Sequence, residues 1–185
     1  MKRKKVKIIQ LPNKILRQKS IDVPWPLNEE DEKLAQQMID HIDYSQEEGQ
    51  TMYRPGVGVA AVQYGILKNM FYVNVNNGKD DIIFKDVIIN PKVLGTSESE
   101  LALHHGEGCL SVGENWPNQE GFVRRKKVIK VEGYSYFDKV KKVWTVSDYV
   151  AIVFQHELDH LQGKLFIDRI NKKAPWKKVD KLETI

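Results

Sequence analysis

Ser147-Asp148-Tyr149-Val150-Ala151-Ile152-Val153-Phe154-Gln155-His156-Glu157-Leu158-Asp159-His160-Leu161-Gln162-Gly163 is the stretch on which the fold turns. Its apolar run from Val150 to Phe154 is nearly continuous, which suits a helix buried on most of its sides. Thr145 and Asp148 have capping-box spacing, Ser147 is a second N-cap candidate, and Gly163 is a natural stop. Inside the helix stands H-E-x-x-H, residues 156–160. Two histidines four apart point the same way and can grip one metal ion, while Glu157 beside them can take a proton from a water. Burying two histidines and a glutamate is costly unless something satisfies them, and a metal does so. The alternative is a pair of hydrogen-bonded core histidines beside an exposed Glu157.

A catalytic metal of this kind wants three protein ligands and an open position. A further histidine after Gly163 would supply one, but Phe166 stands there, and the only downstream glutamate is Glu183, near the end of the chain. Cys109, the single cysteine, is the remaining candidate, in Gly106-Glu107-Gly108-Cys109-Leu110-Ser111-Val112. A thiolate is a strong soft ligand for zinc or ferrous iron. An isolated free cysteine is more often a small buried hydrophobe, but a two-histidine site short of a ligand favours the metal.

Gly56-Val57-Gly58-Val59-Ala60-Ala61-Val62-Gln63 is the third unusual segment. No Lys-Ser/Thr follows the glycines, so it is not a phosphate loop. Small residues flanking Val57 suit a backbone that an extended peptide approaches and pairs with; a packed turn beneath a helix is the other reading. Gln63 offers an uncharged amide donor for a developing oxyanion.

In this order and at these separations, G-V-G-V-A-A-V-Q, E-G-C-L-S and Q-H-E-L-D-H closely resemble the three motifs of the peptide deformylases, which remove the formyl group from the initiator methionine of new bacterial chains. The resemblance covers about residues 5 to 170 and includes Gly121-Phe122-Val123-x-Arg125 and Gly163-Lys164-Leu165-Phe166-Ile167-Asp168-Arg169. The segment Gln46 to Pro55 and the form E-G-C-L-S-V look like the second subclass of that family. Val62 departs from the pattern, since many members have Pro or Thr there. The resemblance implies that Cys109, His156 and His160 bind the metal, natively ferrous iron, with zinc, nickel or cobalt accepted by the same ligands. It implies that Glu157 is the general base and then the acid, and that the Gln63 side chain and Leu110 N–H steady the oxyanion. Val57, Gly58 and Gly108 would hold the peptide backbone, and Glu107 would pair with Arg125 to support the ligand loop. Ile152, one turn before His156, is expected to line the methionine pocket.

The 185 residues carry 29 Lys and Arg against 25 Asp and Glu, a net charge of +4. With 41% hydrophobic residues and no apolar run of membrane-spanning length, a single catalytic domain over residues 1–185 is expected, with no membrane or DNA partner. One cysteine and no apolar opening segment fit a cytoplasmic location. The basic residues gather at the ends, including Met1-Lys2-Arg3-Lys4-Lys5, and in Arg124-Arg125-Lys126-Lys127. Such runs are usually solvated surface, but they also suit a polyanion such as ribosomal RNA, so the ribosome is a candidate partner. Asn28 to Glu48 reads as a first helix, with Leu34, Ala35, Met38, Ile39 and Ile42 as its core stripe. Phe71–Val75, Ile82–Ile89, Val128–Tyr136 and Lys139–Trp144 read as strands, the last two joined by a hairpin near Asp138. The expected class is α+β, antiparallel sheet wrapped round the metal-binding helix. The expected reaction is metal-dependent hydrolysis of N-formyl-methionyl peptides. A metallopeptidase cutting internal bonds is the alternative, and a metal-stabilised RNA-binding module is the non-enzymatic one.

Overall fold

The structure, a computed structural model, describes residues 5–78, 81–178 and 181–185; the first four residues of the basic opening run lie outside them. The architecture follows from one strand that feeds two cores. Strand β2 (Met70–Asn76) is buried from Met70 to Val75 and shows no alternation with polar residues, because both of its faces are covered. Phe71, Val73 and Val75 point into a core shared with Val150, Ala151, Val153, Phe154 and Leu161 of helix α2 (Asp148–Leu161). Met70 and Tyr72 point the other way, into a core built with Leu34, Ala35, Met38, Ile39 and Ile42 of helix α1 (Glu29–Ser45). The sheet is thus held between two helices, and α2 is buried as its composition requires.

Asn28 starts α1, its side chain accepting from the Asp31 N–H at 2.9 Å. Glu29, Glu30, Asp31 and Glu32 fill the first turn, where unpaired N–H groups favour negative charge. The helix ends at Ser45 rather than at Glu48. The Gln46 side chain is drawn off to the carbonyls of Gly56 and Asn74, at 2.8 and 3.0 Å, and so ties the helix end to β2 and to the segment that follows Pro55.

The larger sheet has the order β1-β2-β3-β6-β7, antiparallel throughout, with β1 (Gly58–Ala60) at one edge. Strand β3 (Ile82–Thr96) runs well past Ile89. Asn90 and Pro91 read as a stop, but Asn90 takes φ 50 and grips both the N–H and the carbonyl of Val23, and the strand continues with shifted register. Strand β6 (Val128–Ser135) turns through 136–140 into β7 (Lys141–Ser147). Because β7 extends to Ser147, Thr145 pairs with Lys130 across the hairpin and no Thr145–Asp148 capping box forms. Ser147 takes the N-cap position without a side-chain bond. Gly163 ends the segment at φ 68, where an added Cβ would sit 2.5 Å from the Arg17 carbonyl oxygen.

A small second sheet joins β4 (Glu100–Ala102) to β5 (Arg125–Lys126) antiparallel and to β8 (Glu183–Thr184) parallel. In the basic run, Arg125 is buried, while Arg124 and Lys126 pair with Glu100 at the surface and Lys127 reaches Glu183 at 2.6 Å. Glu183 lies in β8 rather than with His156 and His160. Among the described residues no helix is long and apolar enough to cross a membrane.

Candidate active site

Helix α2 presents His156 and His160 one turn apart on the face that meets the loop carrying Cys109. Sγ of Cys109 is 3.2 Å from Nε2 of His160, and the ligand atoms of Cys109, His156 and His160 all lie within 4.8 Å of one another. A thiolate and two imidazoles converging in a buried place is a donor set for zinc or ferrous iron. Nδ1 of His156 is taken by Oε2 of Glu107 at 2.8 Å, which leaves its Nε2 for a metal. Nδ1 of His160 and Oε2 of Glu157 are buried with no partner among the described residues, as groups awaiting a ligand or water would be. The residues present therefore fit a divalent metal.

A chain of alternating charges stands behind the site. Arg125 holds Glu107 in a bidentate pair at 2.8 and 2.9 Å and reaches Oδ2 of Asp159 at 2.5 Å with its Nη1. Asp159 in turn accepts two bonds from Arg169, both 2.6 Å. Burial alone would raise the Glu107 carboxyl, but its hydrogen bonds to Arg125 and His156 hold it at about 2. Burial likewise works against the Cys109 thiolate, yet the positive charge of His160 and bonds from His156 and His160 hold the thiol well below its ordinary value. At Glu157 burial wins. It pushes the carboxyl up to about 7, with His156 and His160 opposing and Cys109 and Glu107 adding to the rise. A carboxyl poised near neutrality is suited to taking up and giving back a proton.

The site opens into a cavity of about 600 Å³ lined by Val57, Gly58, Gln63, Gly108, Leu110, Ile152, His156 and Glu157 among others. The segment 56–63 is both things the sequence allowed, a short edge strand and then a 3-10 turn, Ala61–Tyr64. Oε1 of Gln63 accepts from the Ala60 N–H at 2.9 Å, which turns its NH₂ toward Ser111 Oγ at 3.1 Å and Cys109 Sγ at 3.7 Å. An added Cβ at Gly58 would lie 2.7 Å from Glu157 Oε1, whereas one at Gly108 would meet nothing within 4 Å. Val62 is fully buried and turned away from this cavity's lining.

Sequence reading missed Asp159, Arg169, Ser111 and Arg54. Asp159 carried a signal, an acid one residue from a metal-ligand candidate on a helix too apolar to leave it in water. Arg169 lies inside a quoted motif but nothing in its spacing marks its partner. Arg54, whose guanidinium donates to the Cys109 carbonyl, gave no sign at all.

Residues 5–176 match the family model for polypeptide deformylase. The peptide deformylase of Mycoplasmopsis pulmonis is 57% identical over 94% of each chain. A probable peptide deformylase from Synechococcus phage S-SSM7 superposes with TM-score 0.72 at 34% identity, covering 89% of this chain and 99% of its own. The Acinetobacter baumannii enzyme, solved with Met-Ala-Ser bound, gives TM-score 0.72 at 27% identity over 89% of this chain and 98% of that one. The chain belongs to the peptide deformylase family.

Proposed function

We propose that Cys109, His156 and His160 are the metal ligands and Glu157 the acid–base group of this enzyme, which removes the N-formyl group from newly made peptides. The observation that carries the assignment is the meeting of the three ligand atoms within 4.8 Å of one another at a cavity that Glu157 also lines. A divalent ion on those donors supplies Lewis acidity toward the formyl carbonyl and makes a water easier to deprotonate. Glu157 takes the proton of the attacking water on its unpartnered Oε2 and returns it to the departing nitrogen. Water adds to the formyl carbon, the C–N bond breaks, and formate and the free amine leave. The Gln63 amide and the Leu110 N–H steady the negative oxygen as the carbon becomes tetrahedral. Val57, Gly58 and Gly108 line the cavity with little side-chain bulk and hold the peptide extended along the edge of β1. Ile152 forms one wall of the methionine pocket. Formyl carbon bears only hydrogen, so a narrow space beside the metal excludes bulkier acyl groups.

Glu107 and Arg125 hold the ligand loop against α2 through their bidentate pair. The native ion is ferrous iron, with zinc, nickel or cobalt able to replace it, a choice that the soft thiolate–imidazole set allows. The chain works as one catalytic domain in the cytoplasm, where its free thiol stays reduced and nascent chains carry the formyl group. The ribosome is its partner there, through basic residues other than the Arg124–Lys127 run.

The test is formate release from formyl-Met-Ala-Ser by protein loaded in turn with iron, nickel or zinc, with a blocked peptide lacking the formyl group as control. Formate release that tracks bound metal supports the reading. Internal cleavage of the blocked peptide without formate would favour a metallopeptidase. The iron form should lose activity in air faster than the nickel form, with Cys109 oxidised.

A further inference from the structure

Every carbonyl of the stretch Cys109–Ser111 accepts a hydrogen bond from a residue outside that stretch. The Cys109 oxygen accepts from the Arg54 guanidinium and, within the loop, from the Val112 N–H at 3.2 Å, the Leu110 oxygen from Nε2 of Gln10 at 3.3 Å, and the Ser111 oxygen from the Leu11 N–H at 2.9 Å. The Ser111 N–H turns inward to Cys109 Sγ at 3.4 Å. Among the described residues none accepts from the Leu110 N–H. A peptide unit is planar and trans, so its C=O and N–H point in opposite directions. The Cys109 carbonyl and the Leu110 N–H belong to one such unit, and whatever fixes the first aims the second.

We propose that Arg54 is a positioning residue for the oxyanion site, fixing and polarising the peptide unit whose N–H is that of Leu110. It rests on the reading, given above, that this N–H meets the developing oxyanion. A charged donor on a carbonyl draws electron density through the amide and makes its N–H a stronger donor. Arg54 has no carboxylate within ion-pair distance among the described residues, so its charge is not neutralised by a near partner. Its backbone is well anchored. Oε1 of Gln50 accepts from the N–H groups of Met52 and Tyr53, both at 3.0 Å, and its Nε2 donates to the Tyr53 carbonyl at 2.9 Å. Pro55 then restricts Arg54 to extended backbone. Arg54 lines both the active-site cavity and a second cavity.

The test uses the metal-loaded full chain, with Arg54→Met and Arg54→Lys, formyl-Met-Ala-Ser as substrate and Met-Ala-Ser as product inhibitor. Arg54→Met should lower kcat about tenfold, less than the 10²–10³ of deleting an oxyanion donor outright. KM, product affinity and bound metal should stay within about twofold, and Arg54→Lys should recover most of kcat because an ammonium can still donate to the carbonyl. Unchanged kcat in Arg54→Met, loss of metal, a matching rise in KM and product Ki, or no recovery by Arg54→Lys would each overturn the proposal. An ester replacing the amide at Leu110 removes the N–H and keeps the Cys109 carbonyl as a weaker acceptor, and it separates the two claims. If the ester slows turnover while Arg54→Met does not, only the role of Arg54 fails. If the ester leaves kcat unchanged, the reading of the Leu110 N–H fails with it.

Discussion

Gly58 gives the sharpest test of whether Glu157 acts as a placed base. A Cβ built there lies 2.7 Å from Glu157 Oε1 and 3.1 Å from Cγ1 of Val153. Ordinary contact begins near 3.4 Å, so in Gly58→Ala the carboxylate oxygen must retreat by about 0.7 Å and the valine methyl by a few tenths. What moves is the tip of a side chain and not backbone, so the cost to stability should stay near 1 kcal/mol, at the low end for overpacking, or about 2–4 °C in Tm. The cost to chemistry should be larger. A misplacement approaching 1 Å at a reacting group is worth up to about a hundredfold in rate. Gly58→Ala should therefore lower kcat for formyl-Met-Ala-Ser by about 10- to 100-fold, with bound metal unchanged and the thermal transition nearly in place. The assay is formate release beside a melting curve and metal analysis on the same sample. Full activity in Gly58→Ala would show that Glu157 need not sit where it does, and a loss explained by unfolding would show that the strain goes into the fold.

Glu157→Gln should keep the metal and lose at least about two orders of magnitude in turnover, the scale of general acid–base work; near-normal formate release with metal bound would assign the base to another group. Arg125→Ala leaves the Glu107 carboxylate buried without its guanidinium and Asp159 with Arg169 alone, and should cost about 3–5 kcal/mol in denaturant unfolding and speed metal loss to a chelator by about 10- to 100-fold; an unchanged protein by both measures would reject the supporting role. Ile152→Trp should harm formyl-Met substrates more than substrates with a small first residue, and equal losses would remove Ile152 from the pocket wall. His41, buried against the Tyr64 hydroxyl at 2.8 Å, has its pKa pushed by burial from 6.5 to about 4. Its neutral form is the folded one, so stability is full above pH 6.5 and falls as pH drops toward 4, where the unfolded chain takes a proton first. The loss approaches about 3 kcal/mol and should be missing from His41→Gln, so parallel unfolding profiles for the two proteins between pH 7 and 4.5 would contradict it.

The stripe of α1 was legible because burial writes a periodic pattern into the chain, and α2 and its stop were legible from a nearly continuous apolar run closed by Gly163. The strand β2 was legible from its β-branched and aromatic residues, Cys109 through the chemistry of a missing third ligand, and the segment 56–63 through its small residues. What was not legible depends on long-range pairing. Nothing local tells Thr145 that β7 will continue through it to Ser147, since its partner Lys130 decides that from across a hairpin. Nothing local tells Arg125 from Arg124 and Lys126 on either side, yet one is buried on Glu107 and Asp159 and the other two lie along Glu100. The alternation of an extended segment sets the difference, because in the two-residue strand β5 neighbours must point to opposite faces. Asn90 and Pro91 misled for a related reason: the turn residues are real, but Val23 holds Asn90 in place and the strand absorbs them.

Charge is concentrated behind the candidate site, mostly buried, with Arg169 at its solvent end. Glu107 and Asp159 contribute two negative groups and Arg125 and Arg169 two positive ones, ordered in space so that each carboxylate lies between cations or between a cation and His156. A lone carboxylate behind a metal ligand would be costly to bury and would drift toward protonation. Bound bidentate by Arg125, Glu107 stays ionised, and an ionised Glu107 fixes which nitrogen of His156 carries the proton and which is free for the ion. On the proposed assignment, the ligand geometry is set by the protein's own charges before any metal arrives. An ion binding there would meet a thiol already held below its ordinary pKa and an imidazole already turned, so the free energy of binding goes to the metal bonds instead of to ordering the loop.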